Sequence, residues 1–137
     1  MNPTAILDTS AIIHLFKGTS REVHRAVMNS SRLVIPLATY AELLAGIARR
    51  GEAANKERAL LEDLLATPGT SVHHPDEETG RFYAKIFNAL RKQGTMIPTN
   101  DIWIAAEVMS ARGILYSSDR HFERIPFLDW RYFATDP

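Results

Sequence analysis

The segment Ala5-Ile6-Leu7-Asp8-Thr9-Ser10 is a short apolar run that ends on a carboxylate and passes at once into a helical pattern. The apolar run predicts a buried strand, and residues 11–17 predict a helix that ends at Gly18. In an open parallel sheet, side chains at the carboxyl end of a strand face the crevice where ligands bind. Asp8 is therefore a candidate for chemistry, although a lone Asp before an apolar run more often only caps the next helix.

Short apolar runs alternate with helical patterns through the rest of the chain, which is typical of βαβ units and a parallel sheet. Further strands are predicted at residues 33–35, 71–73, 114–117 and 127–130. Helices are predicted from Ser20, from Thr39 to Gly51, over residues 52–65, from Asp76 and over residues 102–109. We therefore expect one α/β domain over residues 1–137, with a central, mainly parallel sheet.

The two helices predicted between residues 39 and 65 are expected to form a protruding helical hairpin. Its apolar positions include Leu43, Leu44, Leu61 and Leu65. Because an apolar helical face can receive a helix of another protein, the hairpin is predicted to be a partner surface.

The composition limits the possible classes of protein. The chain has 137 residues, 45% of them hydrophobic, which is enough for a compact domain with a core. Sixteen basic residues balance sixteen acidic ones, so any nucleic-acid surface must be local. The lack of cysteine excludes disulfides, thiolate metal sites and cysteine nucleophiles. No signal-peptide pattern or membrane-length apolar run is present, and we expect a soluble, cytoplasmic protein with no membrane partner.

Three further acids stand at predicted element starts or ends, as Asp8 does: Glu42, Asp101 and Asp119. Strand ends and the following helix starts lie at one edge of a right-handed parallel sheet, so the four side chains can converge. Carboxylates gathered without Lys or Arg neighbours repel one another unless a divalent cation neutralises them. Oxygen ligands without cysteine favour Mg²⁺ or Mn²⁺, which serve phosphoryl chemistry by activating water and stabilising charge.

Each acid also has a structural explanation. Thr39 and Glu42 match a capping box, and Asp101 and Asp119 are equally compatible with N-caps. The five histidines form no ligand set, and His121 is retained only as a candidate for substrate contact. Several other acids are explained as solvated or as facing a helix dipole: Asp63, Asp76, Glu77 and Glu107.

Four segments, in order along nearly the whole chain, resemble those of a PIN-domain ribonuclease, and the compact size resembles the VapC-type toxins of toxin–antitoxin pairs. The segments are Ile6-Leu7-Asp8-Thr9-Ser10, Thr39-Tyr40-Ala41-Glu42-Leu43, Asn100-Asp101-Ile102-Trp103-Ile104-Ala105-Ala106, and Leu115-Tyr116-Ser117-Ser118-Asp119-Arg120-His121-Phe122. Each motif alone is weak, but the four in register are fairly specific.

The resemblance implies a three-layer α/β/α PIN-like fold and an endoribonuclease that hydrolyses RNA phosphodiester bonds with a carboxylate-held Mg²⁺ or Mn²⁺. By position the catalytic acids fall on Asp8, Glu42, Asp101 and Asp119, of which Asp8, Asp101 and Asp119 would be metal ligands. Supporting hydroxyl groups would come from Thr9 and Ser10 after the first acid, and from Ser117 or Ser118, where a Thr is more usual.

The resemblance also implies three partners: an RNA substrate, a small antitoxin protein and a second copy of the chain in a homodimer. Arginines that end helices or follow the last acid are candidates to guide the RNA: Arg49, Arg50, Arg112 and Arg120. An antitoxin helix docked on the hairpin is expected to bring an Arg or Lys toward the acids and to compete there with Mg²⁺.

Other functions remain open from the sequence. A housekeeping PIN nuclease for RNA processing and a non-catalytic PIN-like binding module are the alternatives within the same fold. A haloacid-dehalogenase-like phosphatase would need a second Asp where Ser10 stands. A response-regulator receiver would need an acidic pair and a downstream Lys that are not evident in the sequence.

Overall fold

The computed structural model describes residues 3–134 as a parallel sheet with helices on both faces. The strands of the sheet are β1 Thr4–Leu7, β2 Arg32–Ile35, β3 Thr70–Val72, β4 Ile114–Ser117 and β5 Trp130–Tyr132. The α-helices are α1 Thr9–Lys17, α2 Arg21–Met28, α3 Leu37–Arg50, α4 Asn55–Ala66, α5 Glu77–Gln93 and α6 Thr99–Ala111. Short 3₁₀ helices lie at Gly51–Ala54 and Arg120–Arg124.

The strand order is β3-β2-β1-β4-β5, and every neighbouring pair is parallel. From β1 the chain builds the sheet outward through β2 and β3 on one side, and later through β4 and β5 on the other. The boundary between β1 and β4 is therefore the topological switch point, where α/β sheets of this kind bind their ligands.

Alternate residues of the central strands enter two separate cores, because successive side chains in a strand point to opposite faces. Ile6 and Leu115 pack with α5 and α6 on one face. Leu7 and Ile35 pack with α1 to α4 on the other face. This confirms the predicted three-layer α/β/α architecture, with a sheet that is parallel throughout the described pairs.

The connection from α6 to β4 requires a glycine at residue 113. A Cβ atom added to Gly113 would lie 2.7 Å from the Ile6 side chain and 2.8 Å from the Thr4 carbonyl oxygen. The missing side chain lets this turn approach β1 closely, which places β4 beside β1 in the sheet.

Several predicted element starts were wrong, among them those of the third helix and of the last strand. Helix α3 begins at Leu37 and is preceded by Pro36, so Thr39 is an internal, fully buried residue and caps nothing. The residue before a helix can be Pro here because the free N–H groups of the first turn are satisfied by a side chain of another helix, described below. The last strand begins at Trp130, where its backbone pairs with Leu115, and not at Phe127.

The apolar face predicted for the pair α3 and α4 is also largely wrong. Leu43 and Leu61 are 9% and 3% exposed and belong to the core, since they pack against the sheet. Leu65 is half-buried against the same core, and Leu44 is 43% exposed. The helical order α3, 3₁₀ turn, α4 is present, whereas a protruding hairpin stays a prediction, as does a single domain over residues 1–137.

No helix within residues 3–134 is both long enough and apolar enough to cross a membrane.

Candidate active site

Asp8 lies at the carboxyl end of β1, directly at the switch point, and is 5% exposed. Its Oδ1 accepts hydrogen bonds from the Ala11 backbone N–H at 2.9 Å and from the Ser10 hydroxyl at 2.7 Å. Its Oδ2 accepts a hydrogen bond from the Ser117 hydroxyl at 2.5 Å. Asp8 therefore is the N-cap of α1 and also belongs to a network that reaches the neighbouring strand β4.

Ser117 ends β4 and joins the first acid to the last. Its fully buried Oγ donates to Asp8 and accepts the backbone N–H of Asp119 at 2.9 Å. The backbone N–H of Ser118 donates to the Ser10 hydroxyl at 3.1 Å. Of the two adjacent serines, Ser117 therefore supplies the hydroxyl that contacts Asp8.

Asp101, Asp119 and His121 form a second group at the same edge of the sheet. Asp101 lies in the first turn of α6, and Asp119 precedes the 3₁₀ helix that carries His121. The Nδ1 atom of His121 is 2.9 Å from Oδ2 of Asp101 and 3.2 Å from Oδ1 of Asp119. The backbone N–H of His121 donates to Asp119 Oδ1 at 2.9 Å.

Glu42 joins the site through Thr9. It lies in the second turn of α3 and is exposed, and its Oε1 accepts a hydrogen bond from the Thr9 hydroxyl at 2.8 Å. The capping-box alternative for Glu42 is wrong, because Thr39 is internal to the helix and makes no cap hydrogen bond. The bond therefore links the exposed Glu42 carboxylate to the residue that follows Asp8 in the chain.

The electrostatics show the cost of collecting these acids. Burial raises the pKa of Asp8, and the nearby Asp119 charge raises it further, while the hydrogen bonds from Ser117, Ala11 and Ser10 act in the opposite direction. Burial also raises the pKa of Asp101, and repulsion from Asp119 adds to the rise, while the hydrogen bond and charge of His121 lower the pKa without cancelling the effect of burial. Both carboxylates therefore gain from a nearby positive charge.

Within residues 3–134, no lysine or arginine forms an ion pair with any of the four acids, and His121 is their only basic partner. One donor atom each of Asp101, Asp119 and His121 lies within 4.8 Å of the other two. Hard carboxylate oxygens and an imidazole nitrogen are a donor set that divalent ions accept. The residues present therefore fit a divalent metal ion.

The structure does not bring all the predicted arginines to the acids. Arg112 lies at the opposite end of α6 from Asp101, about 16 Å along the helix axis, and pairs with Glu78 at 3.6 Å. Arg49 and Arg50 end α3, about two turns from Glu42, and Arg50 pairs with Glu57 at 3.4 Å.

Arg120 follows Asp119 directly, but its guanidinium lies over the Tyr132 ring at 4.0 Å and pairs with Glu123 at 3.8 Å. Arg120 is the predicted arginine closest in sequence to an acid of the site, but its charge is directed toward a neighbouring ring and carboxylate.

Glu107, which the sequence explained as a solvated or dipole-facing acid, is buried and faces the start of another helix. It is 2% exposed, so it is not solvated, and its two oxygens accept the backbone N–H groups of Leu37 at 2.7 Å and Ala38 at 3.0 Å. His73 contributes a third contact at 2.8 Å. From the neighbouring helix α6, Glu107 thus accepts hydrogen bonds from the free backbone N–H groups in the first turn of α3. In the sequence, only the presence of an acid within an otherwise apolar helical run indicates this role.

Comparison with known proteins identifies the family of this chain. Residues 5–128 match the family model of the PIN domain. Ribonuclease VapC1 of Haemophilus influenzae strain R2866 is 34% identical over 130 residues, which cover 92% of this chain and 95% of that protein. Ribonuclease VapC2 of H. influenzae strain Rd is 33% identical over 122 residues, which cover 88% of this chain and 90% of that protein.

Two solved structures are similar in fold. VapBC-1 from nontypeable H. influenzae aligns with a TM-score of 0.78 and 34% identity, over 94% of this chain and 97% of that chain. VapBC2 from Rickettsia felis, bound to a promoter DNA fragment, aligns with a TM-score of 0.81 over 96% of this chain and 99% of that chain, and at 18% identity it supports the fold alone. The chain therefore belongs to the PIN-domain family and, within it, to the VapC ribonucleases.

Proposed function

We propose that this chain is a metal-dependent endoribonuclease, the toxin of a toxin–antitoxin pair, with Asp8, Glu42, Asp101 and Asp119 in its active site. The observation that carries the proposal is that Asp101 and Asp119 meet at the edge of the sheet where Asp8 follows β1, with no lysine or arginine paired to these acids among residues 3–134. The similarity to named VapC ribonucleases over most of the chain supports RNA as the substrate. Neither a housekeeping role nor a purely binding role is favoured by these relatives.

Each of the proposed active-site residues can be given a role in the hydrolysis of a phosphodiester bond. A bound Mg²⁺ or Mn²⁺ would activate a water molecule and stabilise charge on the scissile phosphate. Asp101, Asp119 and Asp8 would hold the ion, and the Ser117 hydroxyl would help to orient the Asp8 carboxylate to which it donates a hydrogen bond. Glu42, which is exposed and accepts a hydrogen bond from Thr9, would accept a proton from the attacking water.

The test is RNA cleavage by charge-neutral variants. Asp8→Asn and Asp101→Asn should each abolish cleavage in a folded protein, because they remove ligand charge at nearly constant volume. Asp63→Asn, on the exposed face of α4, is the matched control and should cleave at the wild-type rate. Saturating Mg²⁺ or Mn²⁺ should stabilise the wild type by roughly 1–3 kcal/mol and the Asp8 variant by less. Wild-type cleavage by either site variant would refute the assignment of the active site.

An antitoxin protein is the proposed regulator, as in the VapBC pairs to which the chain is similar in fold. Since the predicted hairpin face is mostly core, we place its docking site in the groove between α1 and α4, which is lined by Ile13, Phe16 and Leu60. Ile13 is 38% exposed and lies one helical turn from Thr9, so the groove leads toward the acids. Its rim carries Lys17 and Lys56 beside the Arg50–Glu57 ion pair, which suits an antitoxin segment that combines apolar anchors with acidic residues.

Co-purification with the product of a neighbouring gene tests this surface. Ile13→Glu should weaken the complex, whereas Leu44→Glu, on the exposed part of the predicted hairpin, should not. A complex weakened by Leu44→Glu and not by Ile13→Glu would instead place the docking site on α3. The complex should also bind Mg²⁺ less tightly than the free toxin, and unchanged metal affinity in a saturated complex would refute competition at the acids.

A homodimer is proposed on the family resemblance alone, and sedimentation of the isolated chain would test it.

A further inference from the structure

His121 occupies the space between two carboxylates of the active site. A single ring nitrogen, Nδ1, faces both Asp101 and Asp119, at 2.9 and 3.2 Å. The imidazole is 39% exposed, so it is not a core residue that the fold requires for packing. The sequence suggested only a substrate contact for this residue.

The backbone keeps the ring in this position. The 3₁₀ helix Arg120–Arg124 starts with a hydrogen bond from the His121 N–H to the Asp119 carboxylate, so the ring and that carboxylate are fixed to one turn. Phe122, next in the chain, is fully buried and anchors the turn in the core between the sheet and α6. The ring is therefore presented to Asp101 by a short, anchored segment.

We propose that Nδ1 of His121 is a ligand of the divalent ion at this site, together with Asp101 and Asp119, and that it makes the site prefer Mn²⁺ to Mg²⁺. This inference rests on the proposed function and goes beyond it, since a metal site made only of carboxylates would be satisfied by Mg²⁺. Mg²⁺ strongly prefers oxygen ligands, whereas imidazole nitrogen suits transition metals. The mutual distances of the three donor atoms, all within 4.8 Å, allow one ion to be shared.

The competing explanation is that His121 is only a counter-charge for the two acids and leaves when an ion enters. The two explanations differ in a spectroscopic property. A directly bound imidazole gives Mn²⁺ a ¹⁴N hyperfine coupling in pulsed electron paramagnetic resonance, and a displaced imidazole does not.

The experiment loads the metal-depleted full chain with Mn²⁺ and records the ¹⁴N coupling and the Mn²⁺ affinity. The wild type should show the coupling. His121→Ala should lose the coupling and bind Mn²⁺ at least about tenfold more weakly than the wild type, which is the scale typical of perturbed metal sites. His74→Ala removes an exposed histidine before α5 and is the matched control, which should keep both properties. Circular dichroism of each variant checks that it is folded.

The metal preference is tested with His121→Asp, which replaces the nitrogen by a carboxylate oxygen. The ratio of Mn²⁺ to Mg²⁺ affinity should fall about tenfold relative to the wild type, because the new ligand set contains only oxygen. Mn²⁺ binding without a ¹⁴N coupling in the wild type, or an unchanged ratio in His121→Asp, would overturn the inference and leave the proposed nuclease intact. Failure of the wild type to bind either ion would overturn both.

Discussion

The hydrogen bond from Ser117 to Asp8 provides a quantitative test of how the site is built. Ser117→Ala removes a bond to a buried carboxylate and a second bond from the Asp119 backbone N–H. A bond to a charged group contributes about 1.5–3 kcal/mol and a neutral one about 0.5–1.5 kcal/mol, so we expect a total loss of about 2–4.5 kcal/mol at neutral pH. This is a large part of the roughly 5–15 kcal/mol that stabilises a typical domain.

The loss should depend on pH with a definite sign. The folded-state pKa of Asp8 is raised above its ordinary value of 3.8 by burial, and the Ser117 hydrogen bond opposes that rise. Without the bond the folded-state pKa rises further, while the unfolded-state pKa does not change. When folding raises the pKa of a carboxyl group, its ionised form destabilises the folded state, and this cost is absent while the group is protonated. The cost of Ser117→Ala should therefore be smallest near pH 4 and should grow as the pH rises through the pKa of Asp8.

Urea denaturation of the metal-free protein at about pH 4 and at neutral pH measures both values. Ser118→Ala is the control, since its side chain makes no hydrogen bond within residues 3–134. A loss that is equal at the two pH values, or no larger than that of the control, would refute the assigned role of Ser117.

Two further predictions follow from buried charge. The raised pKa of Asp101 means that its ionised form destabilises the metal-free protein, so Asp101→Asn should be more stable than the wild type at neutral pH. That gain should disappear in acid, as urea denaturation at both pH values would show. Glu107→Gln leaves one carbonyl oxygen for two helix N–H donors and should cost about 2–4 kcal/mol, against no measurable change for Glu62→Gln on the exposed face of α4.

The alternation of short apolar runs with helical patterns was sufficient to predict the sheet, because strand and helix periodicities are local properties of the chain. The central strands at residues 5–7, 33–35 and 114–117 agree with β1, β2 and β4. Element ends were less well predicted where a distant group replaced a local cap. Helix α3 starts at Leu37 because Glu107 satisfies its first turn from α6, and no local pattern of residues 36–42 records that contact.

Chain order alone was enough to predict that acids would stand just after β1 and β4, because a residue that follows a strand in sequence lies near the end of that strand. The three-dimensional fold determines which of these groups meet. It placed β1 beside β4 at the switch point, joined Asp8 to Ser117 across 109 residues, and directed His121 rather than an arginine between Asp101 and Asp119. The physical reason is that hydrogen bonds and side-chain distances across neighbouring strands depend on strand order and register, which the local periodicity of a chain does not specify.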